Sequence, residues 1–341
     1  MTEAEIYTLS EGDIADLLGI SVCDFSDDIR AVIKRHNFRY RKLTPEERDR
    51  AMLTILQRLD SPDLHIPGVG KKERWVRDWS ENFNRFLRSG FDESELVPNY
   101  FQPNHTVRLY GDYILPLNPY FERDFFQVIR WWLYRTYFAD ENPIYEFGCG
   151  SGANLVDLAK MYPDKELHGL DWVEVSKEIL DTLAEKKGYC IHGHIFDMFF
   201  PNQSFPLKKG AAILAINSLE QLGKEFEPFL QFVLSKQPSI FVHVDSFVEL
   251  YDPATLPNYL TLMHNQRRNY LTGYVKHMRE LEDAGVIEII KLQHMPCGGL
   301  YQDYYSFILL LLLEYEFFLR FHILETRPFY LIYLMPIYMP T

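Results

Sequence analysis

Cysteine is sparse. The four residues, Cys23, Cys149, Cys190 and Cys297, show no C-x-x-C spacing, which excludes a disulfide framework and leaves reduced thiols as the reading. Positive charge is in deficit. Lys and Arg total 35 against 48 Asp and Glu, a net charge of −13, which disfavours non-specific attraction to nucleic acid or anionic lipid. Long apolar runs are missing too: the stretch Phe307 to Leu313 stops at Glu314, far short of the roughly 20 residues that span a bilayer. The opening residues Met1-Thr2-Glu3-Ala4-Glu5 have neither a basic nor an apolar leader region, so a cytoplasmic location is expected. No internal repeat or low-complexity tract is present. What remains is the composition of a folded protein: 341 residues, 47% hydrophobic and 24% charged, long enough for about two domains. Aromatics are in surplus at 15%, many of them in the last 40 or so positions.

The chain changes character near residue 140. Before it, helical signals dominate. Thr44-Pro45-Glu46-Glu47 supplies an N-cap, a first-turn proline and first-turn acids, and Ala51, Met52, Ile55 and Leu56 follow at helical spacing. Trp75, Trp79, Phe83 and Phe86 mark a second helix, and the apolar positions from Phe125 to Phe138 a third. Residues 1–139 are therefore expected to form a mainly helical, substrate-binding cap. From residue 140, short apolar runs alternate with amphipathic helices, the pattern of an α/β fold whose parallel sheet is buried on both faces. Strands are expected near 143–147, 166–171, 189–195, 211–216 and 239–244, and a long helix near 256–284. An antiparallel pair follows over 286–293 and 303–313, joined through Gly298-Gly299. The α/β domain would then span 140–313. Residues 314–341 would be an apolar, aromatic tail and a possible homodimer contact.

The sharpest motif is Ile144-Tyr145-Glu146-Phe147-Gly148-Cys149-Gly150-Ser151-Gly152, a strand running into a glycine turn and then a helix. Glycine serves there because the turn calls for positive φ and a ligand must approach the backbone. The six residues from Gly148 to Ala153 also satisfy G-x-G-x-x-A, so the glycines alone leave an NAD-type dinucleotide site open.

Glu146 to Gly152 resembles the first motif of the class I S-adenosylmethionine (SAM) dependent methyltransferases, and the resemblance extends over about half the chain. Leu167 to Asp171 resembles that family's second strand, Phe196-Asp197-Met198 the end of its third, and Ile216 to Leu222 its fourth strand and the turn beneath the cofactor. The resemblance implies an α/β, Rossmann-like, seven-stranded, mostly parallel sheet with an antiparallel final strand. It also implies SAM as cofactor, held by Glu146, Phe147, Gly148, Gly150, Gly152, Asp171, Trp172, Asp197, Met198 and Asn217. In that family the acid at Asp171 holds the ribose hydroxyls, and the one at Asp197 accepts from the adenine amino group. Taken singly, both acids also read as helix N-caps after strands.

Methyl transfer needs an aligned nucleophile and sometimes a base. Glu220, His243 and Asp245, after or along strands four and five, are the candidate bases; a solvated or capping Glu220 and a hydrogen-bonded core His243 are the alternatives. Tyr100, Arg108, Tyr110 and Gln221 are candidate substrate contacts, Arg108 for a carboxylate or phosphate unless it serves a structural salt bridge. Asn217-Ser218-Leu219-Glu220 stands where enzymes methylating base or amide nitrogens carry Asn/Asp-Pro-Pro-Tyr/Phe, which weighs against those substrates. Cys190, His192 and His194 alternate along a strand without an evident fourth ligand, so no metal is expected. The clusters Arg39-Tyr40-Arg41-Lys42 and Gln266-Arg267-Arg268 read mainly as solvated faces. The sequence thus points to a methyltransferase of a small metabolite, most plausibly at oxygen. A protein or peptide methyltransferase and a non-catalytic protein that retained the fold are the alternatives.

Overall fold

The computed structural model describes residues 5–62, 64 and 68–313. The expected apolar tail and dimer contact at 314–341 lie outside these residues. The first part of the chain comprises β1 (Ile6–Thr8), α1 (Glu11–Leu18), α2 (Asp27–Arg35), β2 (Arg39–Lys42), α3 (Pro45–Asp60), α4 (Lys72–Arg88), β3 (Val107–Leu109), β4 (Asp112–Pro116) and α5 (Phe121–Tyr137). Then follow β5 (Ile144–Phe147), α6 (Ala153–Met161), β6 (Leu167–Asp171), α7 (Glu174–Lys187), β7 (Ile191–Ile195), β8 (Ala212–Ile216), α8 (Glu227–Lys236) and β9 (Ile240–Asp245). The chain continues through α9 (Leu256–Arg268), α10 (Tyr274–Asp283), β10 (Ile287–Gln293), β11 (Cys297–Gly298) and β12 (Ser306–Leu312).

Seven strands form one sheet in the order β10-β12-β9-β8-β5-β6-β7. The five from β9 to β7 run parallel. β12 is antiparallel to both neighbours, β9 and β10. Because it is paired on both edges and buried over most of its length, Ser306–Leu312 reads as an unbroken apolar run instead of an alternating one. The strand order reverses between β5 and β8, and in open α/β sheets that reversal leaves a crevice at the carboxyl ends of the strands. One face of the sheet packs on α5 through Phe125, Ile129, Trp132 and Leu133, beside Leu155, Leu214 and Phe307. The other face buries Phe147, Phe196, Phe229, Phe232 and Phe241. Much of the aromatic surplus within the described residues is core.

Two sequence expectations change. The single helix over 256–284 is two helices, because Asn269 adopts φ 52 and closes α9 on the Asn265 and Gln266 carbonyls, and Gly273 at φ 83 precedes α10. The half expected to be helical is mainly so, yet it also carries a small sheet in the order β1-β2-β4-β3-β11. Tyr110 and Gly111, at φ 54 and 77, make the tight β3–β4 turn, where two consecutive positive φ values match the twist of a hairpin. β11 comes from the connection between β10 and β12 and pairs Cys297 with Leu109, so the end of the chain completes the sheet of its beginning. The basic stretch Arg39–Lys42 is strand β2, and Arg41 is neutralised by Glu47 through bonds of 2.6 and 2.7 Å. The Thr44 box forms as expected: its hydroxyl accepts from the Glu47 N–H at 3.2 Å, and Glu47 accepts from the Thr44 N–H at 2.9 Å.

Candidate active site

β5 delivers the chain into a turn where Gly148 and Gly150 take φ 73 and 53. A Cβ on Gly148 would lie 2.4 Å from the Ser218 Cβ, and one on Gly150 would lie 2.7 Å from the Trp79 ring. Close approach to β8 on one side and to α4 on the other therefore enforces glycine. The amides of Gly148 and Cys149 both donate to the Leu170 carbonyl, at 2.7 and 3.1 Å. Gly150 N–H donates to Asp171 Oδ2 at 2.9 Å, and Val173 N–H donates to Oδ1 at 3.2 Å. Asp171, at the end of β6, thus braces the glycine turn.

Two acids lie beneath that turn in low dielectric. Asp171 is buried, and its carboxyl is pushed up to about 6 by burial, against the three backbone N–H groups that favour its charge. Glu146 is fully buried and is pushed up to about 8, again by burial. Its Oε1 accepts from Asn154 at 2.6 Å, while Oε2 has no partner among the described residues. Asn154 in turn accepts from Arg130 of α5 at 2.6 Å, and Arg130 also pairs with Asp157 at 2.8 Å. A chain of contacts thereby runs from α5 through α6 to the strand under the turn.

The crevice opens as two lobes that share Trp75, Trp79, Gly148 and Asn217. The first is walled by Asp171, Trp172, Asp197, Met198 and Gln221. The second is walled by Tyr100, Phe101, Phe126, Arg130 and Asn154 together with Gly150. Trp75 and Trp79 stack at 5.5 Å with an interplanar angle of 17° and roof the site from α4. Asn217, at φ 48, carries a buried Oδ1 without a partner. Asp197 is tied by the Phe199 N–H at 2.8 Å, leaving its other oxygen free of described partners.

Seven of the ten predicted cofactor residues line this crevice, and Glu146 and Gly152 lie in or behind its glycine turn without lining it. Phe147 is the correction: strand alternation turns its ring to the opposite face, among Phe196, Phe229 and Phe232. Of the predicted substrate contacts, Tyr100 and Gln221 reach the walls. Arg108 does not. It is fully buried, with Nε on Asp303 at 2.8 Å and Nη2 on Asn258 at 2.8 Å, the structural salt bridge. Tyr110 is exposed at the tip of the β3–β4 turn, away from both lobes.

His243 and Asp245 lie behind the crevice. His243 is caged by Phe241, Phe247 and Tyr274 and held down to about 3 by burial, so it is a neutral core imidazole rather than a base facing the lobes. Its Nε2 is 3.2 Å from Asp245 Oδ2, which also accepts the Glu220 N–H at 3.0 Å. Asp245 thus positions the turn that carries Glu220. Glu220 is buried and held by Gln221 and Gln302, each at 2.9 Å. Burial raises its carboxyl above the ordinary range, and the neighbouring Asp245 adds to the rise. In the strand expected to lack a metal, His194 bonds His168 at 2.9 Å, and the His168 ring stacks on Tyr145. Among the described residues no group of three His, Cys, Asp or Glu is placed to hold a metal ion.

Sequence reasoning missed Trp75, Trp79 and Arg130 as site residues. The tryptophans read as an ordinary apolar helix face, and Arg130 lies inside the apolar third helix, α5. The one available signal was that a lone arginine among Phe125, Phe126, Val128, Ile129 and Trp131–Trp132 needs a buried partner.

The strand order, the reversed β12 and the crevice over the glycine turn define a class I, Rossmann-like methyltransferase fold. No family model and no curated protein matches the chain. Solved structures with a similar backbone course include a SAM dependent methyltransferase from Aquifex aeolicus, 16% identical over 52% of this chain and 87% of that one, with a TM-score of 0.37. A geranyl diphosphate C-methyltransferase from Streptomyces coelicolor A3(2), crystallised with Mg2+, geranyl diphosphate and S-adenosyl-L-homocysteine, is 12% identical over 72% of this chain and 100% of that one, at a TM-score of 0.46. The [4+2]-cyclase SpnF is 16% identical over 67% and 76% of the two chains, at 0.41. Assignment of the fold rests on the strand order itself. Among the described residues no helix is long and apolar enough to cross a membrane.

Proposed function

We propose that the protein is a SAM-dependent methyltransferase acting on a small-molecule acceptor, at oxygen. The observation that carries this reading is Asp171, a buried carboxylate on the wall of the first lobe that also takes the Gly150 N–H. With that amide engaged by Asp171, the turn has one N–H fewer to offer a pyrophosphate. A sulfonium cofactor fits better. Asp171 would hold the vicinal ribose hydroxyls, Asp197 and Met198 the adenine, and Asn217 and the glycine turn the amino-acid end. The aromatic walls formed by Trp79, Tyr100, Phe101 and Phe126 favour a cation at their faces. When bound, SAM supplies an electrophilic methyl group. Glu220 takes the acceptor hydroxyl's proton, helped by a raised affinity for protons, while Trp75 and Trp79 exclude water. Their roof also favours a small acceptor over a peptide laid across an open groove.

Isothermal titration is expected to show binding of SAM and of S-adenosylhomocysteine (SAH); no binding of either refutes the reading. Transfer of labelled methyl from SAM into a small-molecule extract is expected to fall about 10²–10⁴-fold in Glu220→Gln with SAH affinity unchanged. Wild-type transfer should increase with pH well above the ordinary carboxylate range, since Glu220 must lose its proton to act.

A further inference from the structure

Beyond Gln221, on the far side of the first lobe's wall, polar groups crowd together without partners. Lys71 Nζ and Arg268 Nε are closed to solvent and make no hydrogen bond, while His264 is answered by Gln302. Both cations act electrostatically on Glu220. Gln302 donates to its Oε2 and Gln221 to its Oε1, Arg268 Nη2 donates to the Tyr270 hydroxyl, and His264 stacks on Tyr301 at 5.1 Å. Buried polar groups in folded proteins are paired in roughly nine cases of ten, and an orphan costs about 1–3 kcal/mol. Two such atoms on neighbouring cationic side chains are the donor set of a binding site.

The charges in that set share one sign. Burial and the nearby Arg268, Arg74 and Arg58 pull the Lys71 ammonium down to about 7, and burial with Arg268 and Arg58 pulls His264 down to about 3. Arg74 has Asp78 at 3.2 Å. Among the described residues no carboxylate forms an ion pair with Lys71 or Arg268. Glu220 is the acid they face, and one carboxylate cannot balance two cations in a desolvated place. That combination suits a desolvated anion, for which a planar guanidinium and a point-charge ammonium are complementary donors.

We propose that Lys71 and Arg268 form the anion subsite of the acceptor, and that the acceptor is a hydroxylated small molecule bearing a carboxylate or a phosphate. This rests on the methyltransferase reading, because it places the acceptor hydroxyl beside Glu220. The test uses the full chain saturated with SAH, whose binding is measured first. Inorganic phosphate and acetate are then titrated separately into wild type, Lys71→Met, Arg268→Met and the exposed-lysine control Lys276→Met. Saturable binding of at least one anion is expected, weakened about tenfold or more in the first two variants and unchanged in Lys276→Met. The tighter anion identifies the group the acceptor carries. Retained SAH binding with no saturable anion binding, or with anion binding that both variants leave intact, overturns the subsite alone. Failure of SAH to bind overturns the methyltransferase reading and this subsite with it. Should Lys71→Met fail to fold, shown by lost SAH binding in that variant only, Arg268→Met decides.

Discussion

Replacing Asp171 by asparagine separates two effects of one carboxylate. The wild-type group accepts from Gly150 and Val173 and, in the proposed complex, from two ribose hydroxyls. Asparagine keeps the shape but replaces one acceptor oxygen with a donor. Losing charged hydrogen bonds worth about 1.5–3 kcal/mol predicts SAH binding weaker by about 10–150-fold. Stability should respond in a different way. The folded-state pKa of about 6 lies above the ordinary aspartate value of 3.8, so the folded protein holds this proton more tightly than the unfolded chain. The associated stability is present below the unfolded pKa and is lost as pH rises through about 6. The whole difference is about 3 kcal/mol, of which about 2 kcal/mol falls between pH 4.5 and 7.5. Asparagine does not titrate. Urea unfolding of both proteins should therefore show the wild type's advantage over Asp171→Asn shrinking by about 2 kcal/mol from pH 4.5 to 7.5, other groups cancelling in the difference. Unchanged SAH affinity would refute the assigned contact, and a pH-independent stability difference would refute the burial argument.

Gly150→Ala should lose about 2–4 kcal/mol in urea unfolding, combining an alanine held at positive φ with a Cβ driven into the Trp79 ring. In a Trp79→Ala background only the steric part should be recovered, and a double-mutant cycle measures it. Arg108→Ala should cost about 3–5 kcal/mol, because Asp303 is left buried without its cation. SAH affinity of the protein that remains folded should not change in titration; a tenfold loss would return Arg108 to the crevice.

Where side chains are buried by their immediate neighbours, the sequence was a good guide. β5, β6, β8 and β9 are short, mostly apolar runs buried along their length, so each stands out, and with the edge strand β7 they lie within a residue or two of their expected places. The glycine turn and the acids after β6 and β7 are likewise local: backbone geometry and strand ends dictate those residue types. Less was legible where a partner comes from far along the chain. Strands of two to five residues such as β3, β4 and β11 carry too little periodicity to register, and β11 pairs with β3 only because residues near 297 return to those near 109.

The same division runs through the site. Arg108 looked available for a ligand because its ion-pair partner Asp303 is 195 positions away, and no spacing rule spans that separation. His243 and Asp245 looked like a base pair because a histidine two residues before an acid shares its strand face. Only the packing of Phe241, Phe247 and Tyr274 against that face makes the imidazole neutral and dry. The sequence by itself determined the α/β core, the glycine turn and the acids around it, since these depend on interactions within a strand, a turn or the next βα unit. Tertiary structure alone decided the roof of Trp75 and Trp79, the loss of Arg108 from the crevice and the unpaired cations around Glu220. In each of those, burial and charge are set by groups that meet only when distant segments pack.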